Sequence, residues 1–155
     1  MTTKTLVAGI GNIFNGDDAF GSEVAKRLAT RSMPDGVRVE DYGIRGVHLA
    51  YELLEGYDLL VLVDALQRGE PAGTVSVLEP DLDFGDVPPV DSHQLDPVAV
   101  LAMVAKLGGE IGRVLVVGCE PADVSDGMGM SPPVTAAIDD AIRMVEEILN
   151  EREAS

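Results

Sequence analysis

Apolar residues recur along this chain with two periods that take turns: short, nearly continuous or alternating apolar runs, then longer stretches with apolar positions three and four apart. The first pattern predicts strands and the second amphipathic helices. Thr5 to Ile10 is a short apolar run ending at Gly11-Asn12, and after a polar loop Gly21, Val24, Ala25 and Leu28 recur at helical spacing. Val37 to Glu40 alternates as a second strand, and Val47 to Leu54 reads as a second helix entered through Gly43 and Gly46. Leu59 to Val63 is apolar without a break, which suits a central strand covered on both faces. Thr74 to Leu78 is strand-like again. Too few residues separate it from the third strand for a helical crossover, so it is expected to run antiparallel to the third.

The stretch from Glu79 to Asp91 is rich in proline and aspartate and reads as a loop. Asp96-Pro97 then places a capping residue before a first-turn proline, and Val98, Leu101, Ala102 and Ala105 mark one helical face. Arg113 to Val117 is a fifth strand. Pro132-Pro133 opens a long helix whose Val134, Ile138, Ala141, Ile142, Val145 and Leu149 form a packing stripe. Strands alternating with helices, without repeat or linker, predict one α/β layer domain over residues 1–155.

Composition narrows the function more than the fold. Eleven Lys and Arg against 27 Asp and Glu give a formal net charge of -16, which repels nucleic acid phosphates and anionic membrane surfaces. Neither is expected as a partner. The acidity serves solubility or a salty cytoplasm on one reading, and steers a cationic partner or metal on another. The N-terminal residues lack the long apolar region of a signal peptide, and no stretch is long enough to span a bilayer. The single Cys119 has no partner for an intrachain disulfide, so a cytoplasmic location is expected.

In open α/β sheets the functional crevice lies beyond the carboxyl ends of the parallel strands. Three segments fall there: Asn12 to Asp18, Asp64, and Cys119-Glu120-Pro121, and each carries an acid. Asp64 closes a five-residue apolar run, so its charge sits at the core boundary and needs a partner. It either caps nearby backbone N–H groups or joins other carboxylates around a cation. Of the pair Asp17-Asp18, one can cap the first helix; assigning that role to Asp17 leaves Asp18 for the site. The glycines of AGIGNIFNGDDAFG do not follow the dinucleotide spacing G-x-G-x-x-G, and acids would face the phosphates. The loop after the antiparallel strand is long enough to carry His93 back to the same edge. His48, on the second helix, is expected to be a surface or packing residue. Two carboxylates and an imidazole, Asp18, Asp64 and His93, would hold a divalent metal with coordination positions open, as catalytic sites do.

The segments GIGNIFNGDDAFG, DYGIRGVHLAYELL, DLLVLVDAL, SHQLDP and VVGCEP with a Pro-Pro-Val helix start follow one another over nearly the whole chain. In that order they resemble the hydrogenase maturation endopeptidases, which trim the C-terminus of the [NiFe] hydrogenase large subunit. The resemblance implies a three-layer α/β/α sandwich, phosphorylase/hydrolase-like, with a mixed five-stranded sheet and one antiparallel strand. It places the family's metal-binding residues on Asp18, Asp64 and His93, and implies Ni2+ supplied by the substrate, the hydrogenase large-subunit precursor. Asp41-Tyr42-Gly43-Ile44 departs from the Asp-Gly-Gly-Thr of many relatives, so a substrate contact there transfers less securely. Cys119 stands where an aliphatic residue is commoner and reads as a small buried side chain.

The expected activity is therefore hydrolysis of one peptide bond in that precursor by a monomeric enzyme, with metal polarising the carbonyl or activating water, or with one carboxylate as general base. Two other classes use similar residues. A phosphoacceptor receiver domain also sets acids around Mg2+, but it requires a lysine at the end of strand five, where this chain has Cys119-Glu120-Pro121. A non-catalytic nickel chaperone or sensor would use the same three ligands and bind free metal tightly.

Overall fold

Among the described residues five strands and four helices follow one another in the order that the hydrophobic periods predict. The computed structural model describes residues 3–80, 97–125 and 127–154. The strands are β1 (Thr5–Ile10), β2 (Val37–Gly43), β3 (Leu59–Ala65), β4 (Val75–Leu78) and β5 (Arg113–Cys119). The helices are α1 (Phe20–Leu28), α2 (Gly46–Leu53), α3 (Pro97–Lys106) and α4 (Pro132–Ala154), with a 3₁₀ turn, Gly16–Ala19, leading into α1. The sheet order is β2-β1-β3-β5-β4, parallel except for β4.

β1 and β3 sit inside the sheet, and the reason is visible in their composition. Every residue of β1 is buried, and Leu59 to Val63 of β3 likewise, so both strands meet apolar partners on two faces. One face packs Phe20, Val24 and Leu28 of α1 with Val134, Ile138 and Val145 of α4. The opposite face packs Leu49, Ala50 and Leu53 of α2 with Val100, Leu101 and Val104 of α3. Two clusters on either side of one sheet make the three-layer sandwich, and each fully buried Leu or Val contributes on the order of 2 kcal/mol.

β4 runs antiparallel to β3, as expected, but does not touch it. β5 lies between them, and β4 pairs with β5 at the sheet's edge, Val75 opposite Cys119 and Leu78 opposite Val116. The burial pattern explains the choice: β5 is buried from Val114 to Cys119 and needs a neighbour on each side, whereas β4 is only half-buried. β4 therefore leaves the carboxyl edge and ends toward the opposite one, where Glu79 pairs with Arg113.

Among the described residues no helix is long and apolar enough to cross a membrane. The register aligns the ends of the parallel strands: Ile10 faces Gly43, and Asp64 and Ala65 face Gly118 and Cys119. Everything that follows those residues is delivered to one edge.

Candidate active site

Asp18 and Asp64 converge on a cleft of about 340 Å³ at that edge. Its walls are Ile10, Gly11 and Asn12 after β1, Ile44 after β2, Ala65 to Gln67 after β3, and Pro121 and Val124 after β5. Each parallel strand thus contributes one side, which is the crevice that the topology predicts.

Asp18 arrives through the 3₁₀ turn. The Asn12 N–H donates to its Oδ2 at 3.0 Å, and burial pushes its pKa up. The turn lies against Gly11, where φ is +148° and an added Cβ would stand 1.9 Å from the Asp18 carbonyl oxygen. Only glycine lets the chain after β1 approach so closely. Asp64 is half-buried at the end of β3, where among the described residues only the Ala65 N–H reaches it, donating to Oδ1 at 2.8 Å. Its pKa is held well above the usual carboxylate range, first by burial and then by the Asp18 charge. The capping alternative for Asp64 is met by that single bond. Among the described residues no donor reaches Asp18 Oδ1 or Asp64 Oδ2.

Asp17 has the opposite environment. It is 0% exposed, and its carboxylate does not cap α1, whose preceding residue Ala19 offers no side-chain cap. Instead its Oδ2 accepts from the N–H groups of Ala122 and Asp123, at 2.8 and 2.9 Å, and from the Ser131 hydroxyl at 2.8 Å. Its Oδ1 accepts from the Ser131 N–H at 2.6 Å. Its pKa is lowered: burial, the largest influence, opposes the charge, and the four bonds outweigh it. Asp17 ties the loop after β5 and the start of α4 to the loop after β1.

Glu120 works the same way, its two oxygens accepting from the N–H groups of Arg68 and Gly69 at 2.7 and 3.1 Å. It fixes the turn that carries Gln67 into the cleft wall. Neither role was legible in the sequence, because the donors come from residues 51 to 114 positions away. The proline-free, glycine- and aspartate-rich run from Asp123 to Gly129 was the available signal for a wall-forming loop.

Cys119 is buried in the core with its thiol pKa pushed up to about 11 by burial and the nearby Asp17 and Glu120 charges. It is a packing residue. His48 is exposed on α2, away from the acid cleft. His93, expected as the third ligand, lies outside the described residues, and among these no group of three His, Cys, Asp or Glu side chains converges. The described part of the site still fits a divalent cation: two carboxylates, short of hydrogen-bond donors and mutually repelling, present hard oxygen donors to one cleft.

Comparison with known proteins agrees with this architecture. Residues 22–148 match the sequence model of the HycI family, hydrogenase maturation protease, a stretch that begins just after Asp18 and includes Asp64 and His93. The chain is 32% identical over 151 residues to the hydrogenase expression/formation protein HoxM of Azotobacter vinelandii, covering 95% of this chain and 72% of that one. It is 33% identical over 150 residues to coenzyme F420 hydrogenase subunit delta of Methanothermobacter thermautotrophicus, covering 92% of each. The fold is similar to that of the hydrogenase maturating endopeptidase HybD from E. coli, with a TM-score of 0.81 and 28% identity over 96% of this chain and 93% of that structure.

Proposed function

The chain belongs to the hydrogenase maturation protease family, and from that premise we propose that it hydrolyses one peptide bond near the C-terminus of a [NiFe] hydrogenase large-subunit precursor that already carries nickel. The observation that supports this reading most is the Asp18–Asp64 pair, two desolvated acids with unfilled acceptor positions facing one cleft. An acid pair that raises its own proton affinity is unfavourable for folding and makes sense if something else completes the site. The completing group is the substrate's metal.

Asp18, Asp64 and His93 would hold the nickel together with groups of the precursor. Bound there, nickel supplies Lewis acidity, polarising the scissile carbonyl or lowering the pKa of a water. The chain's own residues do the rest. Asn12 fixes the Asp18 carboxylate through its N–H. Ile10, Ile44, Leu66 and Val124 line the cleft with apolar surface. Alternatively, one carboxylate of the pair acts as general base, taking the proton of the attacking water and returning it to the departing amide nitrogen.

Alanine at Asp18, Asp64 or His93 is expected to abolish processing of the purified precursor while circular dichroism shows a folded chain. Processing retained in all three variants would sink the assignment. Precursor loaded with nickel should be cut and nickel-free precursor left intact; equal cutting of both would remove the metal from the recognition step. Tight binding of free Ni2+ with no cleavage would instead favour a metal carrier.

A further inference from the structure

A second cavity, of about 230 Å³, opens beside the acid cleft and shares Gly11, Asn12 and Ile44 with it as a common wall. Its other side comes from α1, through Ser22 and Lys26, and from the turn after β2, through Asp41 and Arg45. Ile13 and Phe14, exposed by 36% and 60%, form an apolar lip. The electrostatics reverse across the wall. The acid cleft holds two carboxylates, whereas this cavity holds two cations and one acid, in a chain of net charge -16.

The state of those groups singles out α1. Ser22, 0% exposed, lines the cavity, and its hydroxyl has no hydrogen-bond partner among the described residues. An unpaired buried hydroxyl costs about 1–3 kcal/mol, which alanine would avoid at a helical position. Lys26 stands one helical turn further along the same face and is exposed. The other cations of this region are engaged: Arg27 with Glu23, Arg31 with Glu146, Arg38 with Glu40 and Glu52. Lys26 has no acid or carbonyl partner among the described residues. Arg45 is held in place, its guanidinium donating to the carbonyls of Asp41 and Tyr42 and lying over the Tyr42 ring. Asp41 is occupied by the Gly43 N–H.

We propose that this cavity is the subsite for a carboxylate carried by the precursor beside the scissile bond, with Lys26 as the specificity-determining residue and Ser22 as a hydroxyl partner. This rests on the cleavage reading above. A carboxylate on the bound peptide is repelled by Asp18 and Asp64, and the adjoining cavity offers it the cations Lys26 and Arg45 on the other side of the Gly11-Asn12 wall. The arrangement also fixes direction, since a peptide bound backwards would put its acid on the acid pair.

The carboxylate belongs either to an acidic side chain or to the precursor's own C-terminus, and the test separates the two. Affinity of the full chain for fluorescently labelled, nickel-loaded precursor is measured by anisotropy, and cleavage is followed in parallel. Lys26→Glu is expected to weaken binding about tenfold or more, equivalent to about 1.4 kcal/mol, and to raise KM by that factor with kcat nearly unchanged. Ser22→Ala should raise KM a few-fold; a purely structural serine would leave KM alone. Added NaCl should weaken binding by the unsubstituted chain more steeply than by Lys26→Met. If a C-terminally amidated precursor loses the dependence on Lys26, the terminal carboxylate is the ligand; if only precursor with its nearby acids changed to amides does, a side chain is. Unchanged affinity in Lys26→Glu would overturn the subsite while cleavage still supports the protease reading. Weakened binding with no cleavage by the unsubstituted chain would keep the subsite and overturn the protease reading.

Discussion

Asp17 and Asp18 are adjacent in the chain and reach the same sheet edge, yet they end in opposite electrostatic situations. Asp17 collects four hydrogen bonds and its pKa falls. Asp18 collects one and its pKa rises. The same division separates Glu120, which accepts two N–H groups across the β3–β5 loops, from Asp64, which among the described residues accepts only the N–H of its own neighbour. A buried acid with a full set of donors is scaffolding: its charge is neutralised by geometry and it has nothing left to offer. A half-buried acid short of donors is an incomplete site. Four acids at one edge therefore divide into two that build the cleft and two that use it.

Substitutions at the two kinds of acid should break this comparison if it is wrong. The largest effect is expected at Asp64→Asn, with cleavage of the precursor falling about a thousandfold or more, whether the carboxylate is lost as a nickel ligand or as the general base. Its urea midpoint should stay level or rise, because a desolvated charge is removed. Asp17→Ala should do the reverse, lowering stability by about 3 kcal/mol as four donors lose a charged acceptor. Any loss of cleavage in that variant should be recovered under conditions that refold it. If Asp64→Asn unfolds the chain and Asp17→Ala abolishes cleavage in a stable one, the assignment of roles is inverted.

The pH dependence of stability should carry opposite signs for the two acids. Asp17 has a folded pKa below its unfolded value near 3.8, so its contribution is complete above that value and is lost as pH falls through the lowered one. Asp64 has a folded pKa well above 3.8, so the folded state binds the proton more tightly; stability is gained at low pH and lost as pH rises through the raised value. Urea unfolding across pH should therefore flatten in the acid limb for Asp17→Asn and in the limb above it for Asp64→Asn. Matching slopes for the two variants would contradict the division. The smallest effect is expected at Cys119→Ala, with cleavage unchanged and stability lower by about 1 kcal/mol from the lost core volume. A loss of cleavage there would bring the thiol back as a reacting group.

Much of this was legible in the chain. Thr5 to Ile10 and Leu59 to Val63 declared themselves as interior strands because nothing polar interrupts them, and the short link before Thr74 dictated that β4 reverse direction. These are local constraints: period, loop length and the direction in which a strand ends. They sufficed to put Asp18 and Asp64 at one edge. His93 was assigned by the same reasoning and lies outside the described residues.

What the sequence by itself determined, then, was the order of elements and the edge to which the acids go, because hydrophobic period and connection length act within a few residues. The tertiary structure decided which acid became which. Asp17 is held by N–H groups from residues 122, 123 and 131, and Glu120 by those of residues 68 and 69; no pattern within either segment announces where those donors will lie. It also set β5 between β3 and β4, since the neighbour a strand pairs with depends on which other strand needs covering. Hydrogen-bond satisfaction is a property of groups brought together from distant parts of the chain, so the difference between a structural carboxylate and a reactive one is fixed only when the chain has folded.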